Sequence, residues 1–163
     1  MGVALVSGGS RCIGIAALWA GAQACLAATG PCVAVDAAPG GERLASIALD
    51  SARASFVVTY VHSVTRTPVD ESYRVEGHAL EQTGIAFSEH GPGLPTQPDP
   101  GQTWTDVDGR FRLTLARHFD AIRMRVHRDQ SPTLTVDGRA IDLSQWGNRA
   151  IALHAARCEA PGP

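Results

Sequence analysis

The chain has 163 residues, of which 44% are hydrophobic and 18% charged, with a formal net charge of -2. That is room for one core of ordinary globular composition, and it excludes a strongly basic binder of nucleic acid or anionic membrane. All 14 basic residues are arginine, which reads as the coding bias of a GC-rich genome.

Residues 1–30 are expected to form a signal peptide or membrane anchor, and residues 31–163 a single β domain. Between Cys12 and Ala28 the only strongly polar side chain is Gln23, Arg11 precedes the run, and no acidic residue occurs before Asp36. A positive start, an apolar stretch and then small residues is the order found in secretory signals. Ala22-Gln23-Ala24 and Leu26-Ala27-Ala28 both offer small residues for cleavage. The stretch is marginal for a membrane span, which needs about 20 apolar residues. Cleavage, a retained anchor and a buried N-terminal helix are the alternatives. After cleavage at Ala28, Cys32 and Cys158 stand near the two ends of the chain. They either bridge, stabilising by roughly 2–4 kcal/mol through closure of a long loop, or stay as two unpaired thiols. There is no CxxC or HxxxH spacing of the kind zinc sites use. No metal or other cofactor is expected.

Asp36 to Glu42 reads as a Gly/Pro/Ala linker and Arg43 to Leu49 as a first strand. Ser55 to Glu76 reads as two alternating strands joined by Thr65-Arg66-Thr67-Pro68. Pairing Val64 with Val69 sets His62 opposite Glu71, Tyr60 opposite Tyr73 and Val58 opposite Val75, so that apolar residues meet apolar residues. A turn at Gly77-His78 leads into Ala79–Glu89. His90 to Gly101 carries four prolines and three glycines and is expected to be a stiff surface loop. Trp104 re-enters regular structure. Period-two alternation over 110–115, 122–127, 133–136 and 151–155 predicts half-buried antiparallel strands. Asp108-Gly109 and Asp137-Gly138 are tight hairpin turns. The expected fold is all-β, an antiparallel sandwich or partly closed barrel.

His62 and Glu71 are the first candidate site, because both fall on the parity of the bulky residues. A buried histidine–carboxylate pair must be hydrogen-bonded. It either fixes the hairpin register or forms a polar centre that grips a ligand, with Arg66 nearby and His90 and Glu89 reaching over as a lid. The expected geometry argues against a Ser63–His62–Asp70 triad, since Ser63 and Asp70 sit on the face away from His62. The second candidate is an arginine face. Pairing 110–115 with 122–127 puts Arg112 opposite Arg125 and Arg110 opposite His127, with Arg123 beside them. Such a face needs acidic cover, an anion or an acidic partner, or else is an ordinary solvated surface. Trp104 and Trp146 are expected as core or rim aromatics, and His118 has no role beyond a turn.

The run YVHSVTRTPVDESYRVEG, the GPGLP loop, DGRFRL and LTVDGRAIDL together resemble the bacterial family called domain of unknown function 1850. The likeness covers about residues 43–155, and the spacing of His62, Ser63, Val64, Pro68, Val69 and Glu71 carries it. The resemblance implies an exported or membrane-attached accessory protein facing the periplasm. Its implied partner is a TAXI-type TRAP uptake system, which combines a periplasmic solute receptor with a sodium-driven permease. No catalytic residue comes with the resemblance. The leading expectation is a non-enzymatic domain that binds a transporter subunit or a small anionic solute. A small hydrolase using Glu71 as base and His62 as orienter, and a purely structural interaction module acting through Arg110, Arg112, Arg123 and Arg125, are the competing readings.

Overall fold

Thr29–Ala38 forms the first strand, β1, and the computed structural model describes residues 29–159. The expected leader lies outside these residues. The further strands are β2 (Arg43–Ala48), β3 (Ser55–Val61), β4 (Pro68–Glu76), β5 (Ala79–Phe87) and β6 (Trp104–Val107). They are followed by β7 (Arg110–Phe119), β8 (Ile122–Arg125), β9 (Thr133–Val136), β10 (Arg139–Asp142) and β11 (Ala150–Glu159). Two short 3-10 helices, Arg128–Gln130 and Leu143–Trp146, connect strands.

The strands make two antiparallel sheets, one of four strands in the order β2-β1-β11-β8 and one of seven in the order β10-β9-β3-β4-β5-β7-β6. The fold is therefore all-β, with two open sheets rather than a closed barrel. Half of the connections are hairpins, and both Asp-Gly pairs make the tight turns their residues favour. Asp108 and Gly109 have φ of 54° and 71°, and Asp137 and Gly138 have 48° and 78°, the positive pair that a type I′ hairpin turn requires.

The main core lies between the sheets. Val33, Val35, Ile47, Ile151 and Leu153 of the smaller sheet meet Phe56, Val58, Tyr73, Leu80 and Leu134 of the larger. A second cluster occupies the same face of the larger sheet beyond the reach of the smaller one. There Val69, Ile85, Phe87, Leu113 and Leu115 are covered by Leu94 from the proline-rich loop. Trp104 packs beside that second cluster and Trp146 beside the first.

Three expectations are corrected. The linker does not begin at Asp36, because Asp36 to Ala38 belong to β1. This strand escaped the alternation test because four consecutive residues, Cys32 to Val35, are all buried, and a strand covered on both faces shows no period of two. The segments 110–115 and 122–127 do not pair. β7 runs on to Phe119 and pairs with β5 and β6, whereas β8 crosses to the smaller sheet and pairs with β11. The 55–76 hairpin is displaced by four residues from the expected register, with Val58 rather than His62 opposite Glu71 and Tyr60 opposite Val69. An even displacement leaves every side chain on its expected face. Val64 consequently lies in the connecting loop with 65% of its surface exposed.

Cys32 and Cys158 form a disulfide joining β1 to β11 across a sequence separation of 126. It links the first described strand to the last, in the pair of strands that centres the smaller sheet. Cys158→Ser is expected to lower the unfolding free energy by roughly 2–4 kcal/mol, read from urea denaturation. Equal midpoints for the oxidised protein and the variant would show that the smaller sheet closes without the bridge.

Candidate functional site

His62 directly follows β3 and begins the six-residue connection to β4. Its backbone closes that connection, donating N–H to the Thr67 carbonyl and accepting from Arg66 N–H. The imidazole is 7% exposed, and both ring nitrogens are engaged. Nδ1 accepts from Val64 N–H at 3.3 Å and Thr65 N–H at 3.2 Å, while Nε2 lies 3.1 Å from the Pro92 carbonyl oxygen. These partners assign the neutral tautomer with the proton on Nε2. A side chain that accepts from the two following N–H groups stabilises a compact turn, which is why the strand stops here instead of running on to pair Val64.

The bond to Pro92 ties the proline-rich loop to the hairpin. The approach is close enough to require glycine next door, since a Cβ at position 91 would lie 2.8 Å from His62 Cε1 and 2.9 Å from Thr65 Cγ2. The backbone of 91–94 turns there, with Leu94 N–H donating to the Gly91 carbonyl, and Leu94 is delivered into the second cluster.

Glu71 stands in the middle of β4 on the inward face. Tyr73, two residues on, shares that face, and Tyr60 is its diagonal neighbour on β3. Both tyrosines donate to its carboxylate, Tyr73 at 2.6 Å to Oε2 and Tyr60 at 3.1 Å to Oε1. A carboxylate among apolar side chains is costly without donors, and charge-assisted O–H bonds of this length are the strong kind. Burial first, then the charge of Glu71 and the bonds to it, hold both phenols well above the usual tyrosine range. Among the described residues no cation lies within ion-pair distance of Glu71.

His62 and Glu71 therefore do not bond to each other, contrary to the expected pair. The structure brings them together differently, as two walls of one pocket of about 370 Å³. Val58, Tyr60 and Glu71 supply the sheet side of the pocket, Pro92, Gly93 and Leu94 the loop side, and Ile122 to Arg125 the third side. The third side is the edge of β8, the outermost strand of the smaller sheet. The pocket thus opens where the smaller sheet ends and the proline-rich loop begins. Its volume lies within the roughly 300–1,000 Å³ typical of small-ligand sites.

The other expected site residues fall elsewhere. Arg66 is exposed and reaches Asp129 at 4.0 Å, outside the pocket. His90 does not lid it. Its ring stacks on Trp104 at 5.8 Å between centroids, packs on Phe111 and lies 3.2 Å from the Pro95 carbonyl oxygen. Glu89 is exposed and is absent from the pocket walls. The arginines do not form one face, because β7 and β8 lie in different sheets. Arg110 pairs with Asp70 at 2.9 Å, and Thr59 donates to the same Asp70. Arg112 sits beside Thr105 and Ala86 in the larger sheet. Of these four, only Arg123 and Arg125 border the pocket, at the edge of β8, and the strand's alternation directs their side chains to the face away from Ile122 and Met124. Ser63 also lines the pocket, but Asp70 is engaged with Arg110, so no triad assembles. His118 lies 3.3 Å from Glu76, giving it a contact beyond the expected turn. Among the described residues no group of three His, Cys, Asp or Glu is arranged to hold a metal ion.

Sequence reasoning missed the tyrosine clamp and the β8 edge. The first carried a usable signal, because an inward glutamate followed two residues later by tyrosine is a carboxylate with a donor on its own face. The second did not, since β8 reaches the pocket through a crossover between sheets. A family model described as Domain of unknown function (DUF1850) matches residues 56–143, which covers both walls of the hairpin, the proline-rich loop and β8. No curated protein and no solved structure matches the chain.

Two outcomes follow from this geometry. The unfolded chain releases tyrosine protons near pH 10, whereas folded Tyr60 and Tyr73 retain theirs. The stabilisation they provide is complete below that pH and falls as pH rises through it. The urea midpoint is expected to drop more steeply between pH 9.5 and 11 for the parent chain than for Tyr73→Phe. Parallel slopes would contradict the clamp. Gly91→Ala is expected to displace the loop from His62, increasing proteolytic cleavage within 90–101 while far-ultraviolet dichroism stays unchanged. Unaltered cleavage would show that the loop is not held there.

Proposed function

The chain belongs to the family described as domain of unknown function (DUF1850), and from that membership and the pocket we propose an exported, non-enzymatic accessory protein of solute uptake. It holds a small solute in the pocket beneath the proline-rich loop and assists a TAXI-type TRAP system from the periplasmic side. One observation carries the binding reading, the placement of Glu71, clamped by two neutral donors, within an open pocket lined in part by apolar side chains. Such a mixture of an apolar lining and a few oriented polar groups is what small-molecule sites have in common.

Export is supported by the Cys32–Cys158 disulfide, because such bonds persist in oxidising compartments and are rare in reducing ones. The apolar order of residues 12–28 supports the same reading. The hydrolase reading is weakened by the geometry. A base and its orienter must share a hydrogen bond, and the two nitrogens of His62 are bonded to the hairpin loop and to Pro92 instead. The interaction-module reading loses its single arginine face to the division of those residues between the sheets.

Deleting the gene in cells that carry such an uptake system is expected to reduce sodium-driven uptake of labelled amino acids and carboxylates, with the parent chain restoring it. Glu71→Gln, secreted at the parent level, is expected to restore much less. Unchanged uptake after deletion would overturn the accessory role, and full restoration by Glu71→Gln would overturn the site.

A further inference from the structure

The proposed pocket holds a negative charge and nothing to balance it. Each oxygen of Glu71 receives one tyrosine hydroxyl and keeps lone-pair capacity for a further donor. Both of those donors are neutral, so the charge of the carboxylate is solvated but not compensated. His62 cannot supply the missing cation, since its neutral tautomer is fixed from both sides. Ser63 and Gln130, which also line the pocket, are neutral.

Arg123 and Arg125 border the pocket with their main chain. Ile122 and Met124 pack inward against the main core, so alternation turns the two arginine side chains to the exposed outer face. Val126 N–H donates to the Arg149 carbonyl, and in an antiparallel ladder bonded pairs alternate with unbonded ones. Met124 and Ile122 therefore bond to Ile151 and Leu153, their partners on β11. The N–H and C=O groups of Arg123 and Arg125 point the other way, to the free edge of the smaller sheet. They add polar groups to the pocket without net charge, and the carbonyls are acceptors for a ligand N–H. The rest of the lining is largely apolar, with Val58, Leu94, Ile122 and Met124 contributing side chains.

A ligand suited to these walls brings N–H donors, one positive charge and a hydrocarbon body. An acid group would meet the like charge of Glu71 with no guanidinium to hold it. A quaternary ammonium has no N–H to give, and its recognition relies on a cage of aromatic faces. Among the described residues Tyr60 is the one tyrosine, tryptophan or phenylalanine that lines the pocket. We propose that this pocket takes a small primary amine as its ammonium ion, with the N–H groups on Glu71 and the hydrocarbon body against Val58, Leu94, Ile122 and Met124. The assignment rests on the solute-binding reading above and names the group of the solute that the pocket reads, its amine.

The test is titration calorimetry on the oxidised full-length chain at neutral pH, with probes that share one hydrocarbon body. 3-Methylbutylamine is compared with 3-methylbutan-1-ol, 4-methylpentanoate and 3-methylbutyltrimethylammonium. The amine is expected to bind, with each of the other three weaker by about tenfold or more. Glu71→Gln is expected to weaken the amine to a similar degree and to leave the alcohol unchanged. Because Glu71→Gln also loosens the tyrosine clamp, the ranking of the probes on the parent chain is the deciding arm, and it needs no variant. The alcohol or the acid binding as tightly as the amine would overturn the ammonium assignment and leave the solute pocket standing. The quaternary ion binding as tightly as the amine would overturn the N–H contact with Glu71. Absence of binding by every probe would overturn both the assignment and the pocket.

Discussion

A carboxylate set among apolar side chains needs donors, and here the donors are the hydroxyls of two tyrosines. The rest of the site follows from that constraint. Glu71 faces inward because the strand alternates, and the same alternation places Tyr73 beside it and Tyr60 on the neighbouring strand. The bonds fix both rings, and Tyr73 in turn stacks on Phe56 at 5.3 Å between centroids within the main core. The polar centre is thereby anchored to the packing that holds the two sheets together. Hydrogen bonds to a charged group contribute about 1.5–3 kcal/mol each, which offsets much of the cost of taking the carboxylate out of bulk water.

The open side of that centre depends on a second device. The larger sheet has seven strands and the smaller four, so part of the inward face of the larger sheet has no strand above it. The proline-rich loop covers that part. Its prolines limit the conformations it can take and so reduce the entropy cost of ordering it, while His62 and Leu94 fasten it at one end. Aromatic packing among Phe87, His90, Trp104 and Phe111 steadies the rest. The pocket is the gap between this cover and the edge of β8. Function and architecture are linked at that point, because a wider smaller sheet would fill the gap and a looser loop would leave it undefined.

Much of this was legible in the chain. The alternating runs of the C-terminal half and the two Asp-Gly turns predicted strands that are present. The parity of the hairpin put His62 and Glu71 on the inward side correctly even though its register was displaced. The displacement has a local cause, since an imidazole that accepts from two following N–H groups ends the strand early, a preference absent from any pattern of apolar residues. What was not legible is non-local. Alternation within β7 and β8 says nothing about which sheet each joins, so the arginines of the two strands were placed together when the fold separates them. β1 was obscured for the opposite reason, as burial on both faces erased the alternation. The proline-rich loop was correctly seen as irregular, but its contact with His62 depends on Gly91 meeting an imidazole distant in sequence.

The central claim is that Glu71 is an open acceptor in a solute pocket and not a sealed structural group. Carbon-13 spectroscopy of the glutamate side-chain carboxyls tests it most directly, with the Glu71 resonance assigned through Glu71→Gln and followed as 3-methylbutylamine is added. The account predicts a saturable shift of the Glu71 resonance while that of exposed Glu89 stays in place. Saturable binding with an unmoved Glu71 resonance would contradict it, as would a Glu71 signal insensitive to the added amine at every concentration.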